Sequence, residues 1–145
     1  MLAIGSDHAG FALKQEIMKH LEMRGIEYKD FGTYTEDRCD YPVFGEAVGR
    51  AVASGEFERG IIICGTGIGI SITANKIKNV RAATCSDCYS AKFARSHNDA
   101  NILALGSRVI GLGLALLLVD TFLDTEFLEG RHAERLALIS EIEQR

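Results

Sequence analysis

The chain has 145 residues, of which 47% are apolar and 25% charged, and its formal net charge is -4 at neutral pH. That length suits one domain, residues 1–145, and folding it buries roughly 68–70% of the unfolded chain's surface, enough for a sizeable core. The acidic balance excludes a general nucleic-acid binder, which needs a basic surface, but leaves room for a small cationic pocket.

In chain order, "LAIG" (Leu2–Gly5) predicts a first strand. Phe11, Leu13, Ile17 and Leu21 then recur at helical spacing, with Gly25 as a natural stop. His20 sits on that helix beside Lys19 and is expected to be solvated. "IEYKDFG" predicts a second, more exposed strand. Pro42 opens a helix with Phe44, Ala47, Val48, Ala51 and Val52 on one face, since proline suits the first helical turn. "GIIIC" (Gly60–Cys64) is wholly apolar and β-branched, as a strand buried on both faces requires. "SITANKI" (Ser71–Ile77) follows as helix, and "VRAAT" (Val80–Thr84) as a fourth strand. A helix from about Ser90 to Ser96 precedes a fifth strand, "NILALG" (Asn101–Gly106). Val109 to Leu123 predicts a buried helix whose apolar run is too short to span a bilayer, and Arg131 to Glu143 a last one. Strands alternating with helices predict right-handed parallel crossovers. The fold class is an α/β three-layer sandwich, α/β/α, around a five-stranded parallel Rossmann-like sheet. No targeting segment is visible, so a cytoplasmic location and no membrane partner are expected.

In such sheets ligands bind beyond the carboxyl ends of the strands. The loop after the third strand, "CGTGIGIS", carries Gly65, Gly67 and Gly69 at alternate positions. The dinucleotide fingerprint wants its third glycine one place later, where Ile70 stands, and the Gly-Lys-Ser/Thr ending of a nucleoside-triphosphate loop is absent. A glycine turn opening a helix still aims several backbone amides at one spot, which suits an anion; a turn that merely needs small residues is the alternative. Cys64, beside those amides, is either a nucleophile or base, or a small buried apolar residue. Asp7 and His8 occupy the matching loop after the first strand, where a capping turn would also explain them. His97 and Asn98 stand together in "SHNDAN", equally at home in a surface loop. Arg131 and Arg135 lie four apart at the start of the last helix, where positive charge opposes the helix dipole; an anion held between them would explain the pattern, as would a solvated face. Cys85 and Cys88 form a CxxC without the further ligands that a zinc site needs, so no metal is expected there.

Taken in order, "SDHAG", "DYP", "CGTGIGIS", "ANK", "RA", "YSA", "HNDAN", "LGSR" and "GRHAER" resemble the type B ribose-5-phosphate isomerases, a family that also holds allose-6-phosphate and galactose-6-phosphate isomerases. The resemblance spans essentially the whole chain. It implies an aldose–ketose isomerase that works without metal or cofactor through a cis-enediolate. It makes Cys64 the base and His97 the acid that opens the furanose ring, with the Thr66 hydroxyl beside the reacting oxygens. Some members carry instead a glutamate at the position of Ile70, so this chain looks like the cysteine type. The resemblance puts Asp7, His8, Gly65, Gly67, Ile68, Gly69, Asn98 and Arg108 on the substrate, and Arg131 and Arg135 on its phosphate. It further implies homodimers or tetramers with sites shared between subunits. Cys88 lies outside the family's motifs. Beside interconversion of ribose 5-phosphate and ribulose 5-phosphate, three other readings stand: an isomerase of a six-carbon aldose 6-phosphate (allose or galactose), a non-catalytic phosphate- or nucleotide-binding module, and a thiol-redox protein using Cys85 and Cys88.

Overall fold

A computed structural model describes residues 1–145. Its strands are β1 (Leu2–Ser6), β2 (Tyr28–Asp30), β3 (Arg59–Cys64), β4 (Ala82–Thr84) and β5 (Ile102–Gly106). Its helices are α1 (Phe11–Met23), α2 (Tyr41–Ala53), α3 (Ile68–Ala74), α4 (Cys88–Ser96), α5 (Leu112–Asp124) and α6 (Arg131–Glu143). All strand pairs are parallel, and the order across the sheet is β2-β1-β3-β5-β4.

β3 is the centre of this arrangement. Successive side chains of a strand point to opposite faces, so its run of apolar residues feeds both cores. Ile61 and Ile63 pack with Ile17 and Leu21 of α1, Ala91 of α4 and Phe122 of α5. Ile62 and Cys64 pack with Val48 and Val52 of α2 and Ile70 and Ala74 of α3. The three isoleucines are fully buried, each contributing about 1.5–3 kcal/mol by transfer from water. α1, α4 and α5 therefore cover one face, and α2 and α3 the other.

Three expectations shift in detail. α3 begins at Ile68, inside the glycine loop, because Gly67 adopts a left-handed conformation (φ 78°) that starts the helix early. α5 begins at Leu112, since Gly106 to Gly111 form the turn that leaves β5. It is also only half covered: Ala115, Leu118, Val119 and Phe122 are buried, but Leu117 is 54% exposed. Finally, His20 is not solvated; its Nε2 lies 2.7 Å from Asp120 Oδ1, which also accepts from Arg24.

α6 stands apart. Of its 13 residues only His132 is buried. Its far end is tethered where the Asn79 amide and the Lys78 ammonium donate to Glu143 and Gln144. Leu138, Ile139 and Ile142 remain exposed. No helix of the chain is long and apolar enough to cross a membrane.

Candidate active site

The chain leaves β1 toward the face covered by α1 and leaves β3 toward the face covered by α3. A reversal of this kind between neighbouring parallel strands opens a crevice at their carboxyl ends. The crevice is a cavity of about 380 Å³ lined by Asp7, His8, Ala9, Tyr41, Cys64, Gly65, Thr66, Ile68, Gly69 and Arg108.

Hydrogen bonds lock the loops around it into one unit. The Cys64 carbonyl accepts from the Ser107 amide at 2.9 Å, and the Arg108 amide donates to the Gly65 carbonyl at 3.0 Å. The Ser107 hydroxyl donates to the Ala9 carbonyl at 2.8 Å, joining the loop after β5 to the loop after β1. Close approach dictates glycine at Gly106, where a Cβ would lie 2.5 Å from the Thr66 carbonyl oxygen, and a Cβ on Gly69 would lie 2.6 Å from the Tyr41 ring.

Cys64 ends β3 with 4% of its surface exposed, and its sulfur accepts the Gly67 amide at 3.1 Å. The first helical turn leaves the Gly69 and Ile70 amides without intrahelical acceptors. The Thr66 side-chain oxygen accepts the Ile68 amide at 3.1 Å. Asp7 is buried, and its Oδ1 accepts the Gly10 amide at 3.0 Å, closing a turn ahead of α1. His8 Nδ1 lies 3.2 Å from both the amide nitrogen and the carbonyl oxygen of Cys39, which leaves Nε2 uncommitted. Arg108 is exposed and makes no salt bridge. One fixed sulfur, a set of amides and a free guanidinium thus converge on one cavity. Such donors stabilise charge that develops on an oxygen during reaction.

The segment that shapes one wall of the cavity is held from below. Lys14, fully buried in α1, donates to Asp30 Oδ1 at 2.6 Å and to the Thr33 carbonyl at 2.5 Å. Asp30 also accepts the Gly32 amide at 2.9 Å. That clamp fixes the start of the segment leading to Cys39 and Tyr41. Sequence reasoning missed Tyr41 and Lys14. Tyr41 lies in the "DYP" motif, but before a proline it reads as a helix start. Lys14 reads as one more polar position of an amphipathic helix.

His97, Asn98, Arg131 and Arg135 are not in this cavity. His97 caps the end of α4, and the Gly60 amide donates to the Asn101 carbonyl, which places this corner level with the start of β3. Four residues of strand separate Gly60 from Cys64, about 13 Å along the sheet. At this corner the His97 and His132 rings stack with centroids 4.1 Å apart and planes 13° apart, and the Phe93 ring lies tilted by 54° against His97 at 4.6 Å. Burial holds the His132 imidazole below the usual range, and the charges of His97, Arg131 and Arg135 act in the same direction. Arg131 and Arg135 are exposed, and neither makes a salt bridge.

Two other features carry no comparable chemistry. Cys85 is buried next to β4, and burial, with a smaller effect from Asp87, pushes its thiol up to about 11, a poor starting point for thiol exchange. A larger hollow of about 500 Å³ at the amino ends of the strands has both of its arginines already engaged within the chain. There Arg24 pairs with Asp120 and Asp124, and Arg59 donates to the carbonyls of Phe122 and Leu123.

Comparison with known proteins places this geometry in context. The family model described as Ribose/Galactose Isomerase matches residues 2–139. The chain is 53% identical over 144 residues to the ribose-5-phosphate isomerase B of Escherichia coli K12, covering 99% of this chain and 97% of that protein. It superposes on the ribose-5-phosphate isomerase B of Clostridium thermocellum with a TM-score of 0.97 at 58% identity, covering 99% and 97% of the two chains. It superposes on that of Mycoplasma genitalium, solved with bound ribulose 5-phosphate, with a TM-score of 0.94 at 38% identity, covering 99% and 96%.

Proposed function

Because the chain belongs to the ribose/galactose isomerase family, we propose that it interconverts ribose 5-phosphate and ribulose 5-phosphate, with Cys64 as the base of the proton transfer. The observation that carries this reading is the convergence of the Cys64 sulfur, the glycine-loop amides and the unpaired Arg108 on one cavity.

In this reading His97 delivers a proton to the ring oxygen while the C1 hydroxyl gives up its own, and the furanose opens to the aldehyde. The Cys64 sulfur takes the proton from C2, and the electron pair moves into a cis-enediolate. The loop amides not already bonded within the chain, that of Gly69 among them, stabilise the developing oxyanion, one such donor being worth about 2.7–4 kcal/mol in comparable pockets. Thr66 stands beside the two oxygens. The O2 hydrogen passes to O1, and return of the first proton from the same sulfur to C1 completes the ketose with its carbonyl at C2. Asp7, His8, Ile68 and Asn98 fit the sugar chain and its hydroxyls, and Arg131 and Arg135 its phosphate.

His97, Asn98 and the arginine pair lie at the opposite end of the sheet from Cys64, so the complete site combines two copies of the chain: the crevice of one with His97 of the partner subunit. The exposed apolar residues of α5 and α6 suit burial between copies. Such a homodimer, or a pair of them, working in the cytoplasm needs no metal or cofactor.

The test is turnover of ribose 5-phosphate deuterated at C2, followed by NMR, beside steady-state kinetics on allose 6-phosphate and galactose 6-phosphate. Ribulose 5-phosphate is expected to form with deuterium lost to water or carried to C1. The reading fails if ribose 5-phosphate is not turned over, or if a six-carbon substrate has the higher kcat/KM.

A further inference from the structure

α6 buries a single side chain, and that side chain is an imidazole. His132 is 8% exposed, while its neighbours Arg131 and Arg135 reach into solvent. Neither ring nitrogen of His132 has a hydrogen-bond partner within the chain, so contact through the ring face is what holds it. That face lies nearly parallel on His97 at 4.1 Å. Tyr89, Phe93 and His97 follow one another at four-residue spacing along α4, with ring centroids 4.5 and 4.6 Å apart. Residues four apart on a helix are surface neighbours, so α4 and α6 each bring one ring against His97, the α6 ring stacked and the α4 ring tilted.

We propose that His132 is a positioning residue for the isomerase reaction: by stacking on His97 it fixes the plane of the ring-opening imidazole and ties it to the helical turn that carries Arg131 and Arg135. This rests on the reading of His97 as the acid that opens the furanose. A general acid must hold its proton within about 3 Å of the accepting oxygen, so the angle of its ring matters as much as its presence. A ring held by hydrogen bonds would spend a nitrogen on orientation. A ring held by stacking keeps both nitrogens for proton transfer. Keeping His132 below the usual imidazole range avoids two cations face to face. Because the same turn of α6 presents the arginine pair, the stack of His132 on His97 sets the distance from phosphate clamp to ring-opening acid.

The experiment uses the full chain with His132→Ala, His132→Phe and His97→Ala, and two readouts. One is kcat and KM for ribose 5-phosphate, which enters as a furanose. The other is exchange of the C1 proton of ribulose 5-phosphate with deuterated water; this ketose cannot close a five-membered ring, so its exchange reports the proton-transfer step alone. His132→Ala is expected to lower kcat for ribose 5-phosphate roughly tenfold to hundredfold, the scale of a misaligned catalytic group, with KM and ketose exchange changed far less. His132→Phe, which keeps a flat ring against His97, is expected to retain most of the turnover. Unchanged kcat in His132→Ala, or equal loss of turnover and exchange in both His132 variants, would overturn the positioning role. Full turnover of ribose 5-phosphate by His97→Ala would instead overturn the reading of His97 on which the proposal rests.

Discussion

The carboxyl-end crevice and the amino-end corner hold the two halves of the candidate chemistry, and they are built in opposite ways. The crevice is over-determined. Its sulfur, amides and Asp7 are fixed by three loops bonded to one another, on a strand that anchors both cores. The corner is lightly held: His97 rests against two rings, and its arginines project from a helix that buries one residue. A rigid floor suits a proton transfer, whose rate depends on sub-ångström placement. An exposed and unpaired cationic turn suits capture of an anion that arrives from outside its own chain.

The largest expected effect tests whether these halves work in different subunits. Cys64→Ala removes the positioned base and is expected to cut kcat by about 10²–10⁴ in a chain that still folds. His97→Ala is expected to be nearly inactive on ribose 5-phosphate. Mixing the two inactive proteins under conditions that exchange subunits should restore about a quarter of wild-type activity, because a mixed two-fold dimer then holds one intact site of two. Absence of any recovery after verified exchange would place both halves of the site in one chain.

Next in size is Arg135→Ala. Loss of a charge-assisted contact to phosphate costs about 1.5–3 kcal/mol, so KM is expected to rise roughly tenfold to more than a hundredfold while thermal unfolding stays the same. An unchanged KM removes Arg135 from the phosphate site. Gly67→Ala probes the rigidity of the crevice itself. A Cβ there would sit 2.8 Å from the Leu105 carbonyl carbon on a backbone with φ 78°, so about 1–3 kcal/mol of stability should be lost, read from urea denaturation midpoints. Smallest is Cys88→Ser, expected to leave kcat/KM within about twofold. A large loss would revive a role for the CxxC.

Much of this division is readable in the sequence, for physical reasons. The apolar run of β3 has one interpretation in a parallel sheet, and the glycine loop needs its amides wherever the chain turns. The residues proposed for both halves stand in the motifs on which the family resemblance rests. What the sequence hides is their separation. Alternating strands and helices do not say whether the next strand is laid beside the last or one place beyond, and here β4 falls outside β5. Nor does local pattern reveal that His20 meets Asp120, a partner 100 residues away, or that Tyr41 closes over Gly69. Such contacts are set by tertiary packing, which local pattern does not encode. The early start of α3 at Ile68 is a smaller case: a left-handed glycine can open a helix as readily as end one.

The Lys14 clamp has a consequence for how this cavity can change over time. The floor under the substrate is shared with both cores, so nearly any alteration there is paid for in folding. The wall near Tyr41 hangs from a surface segment, residues 33–40, tied at one end by Lys14 donating to the Thr33 carbonyl and at the other by the Cys39 amide donating to His8 Nδ1. Substitutions or insertions beyond Thr33 can lengthen or shorten the cavity without disturbing the sulfur or the amides. A fold arranged this way can move between sugars differing by one carbon through its wall alone, keeping the proton-transfer machinery as inherited.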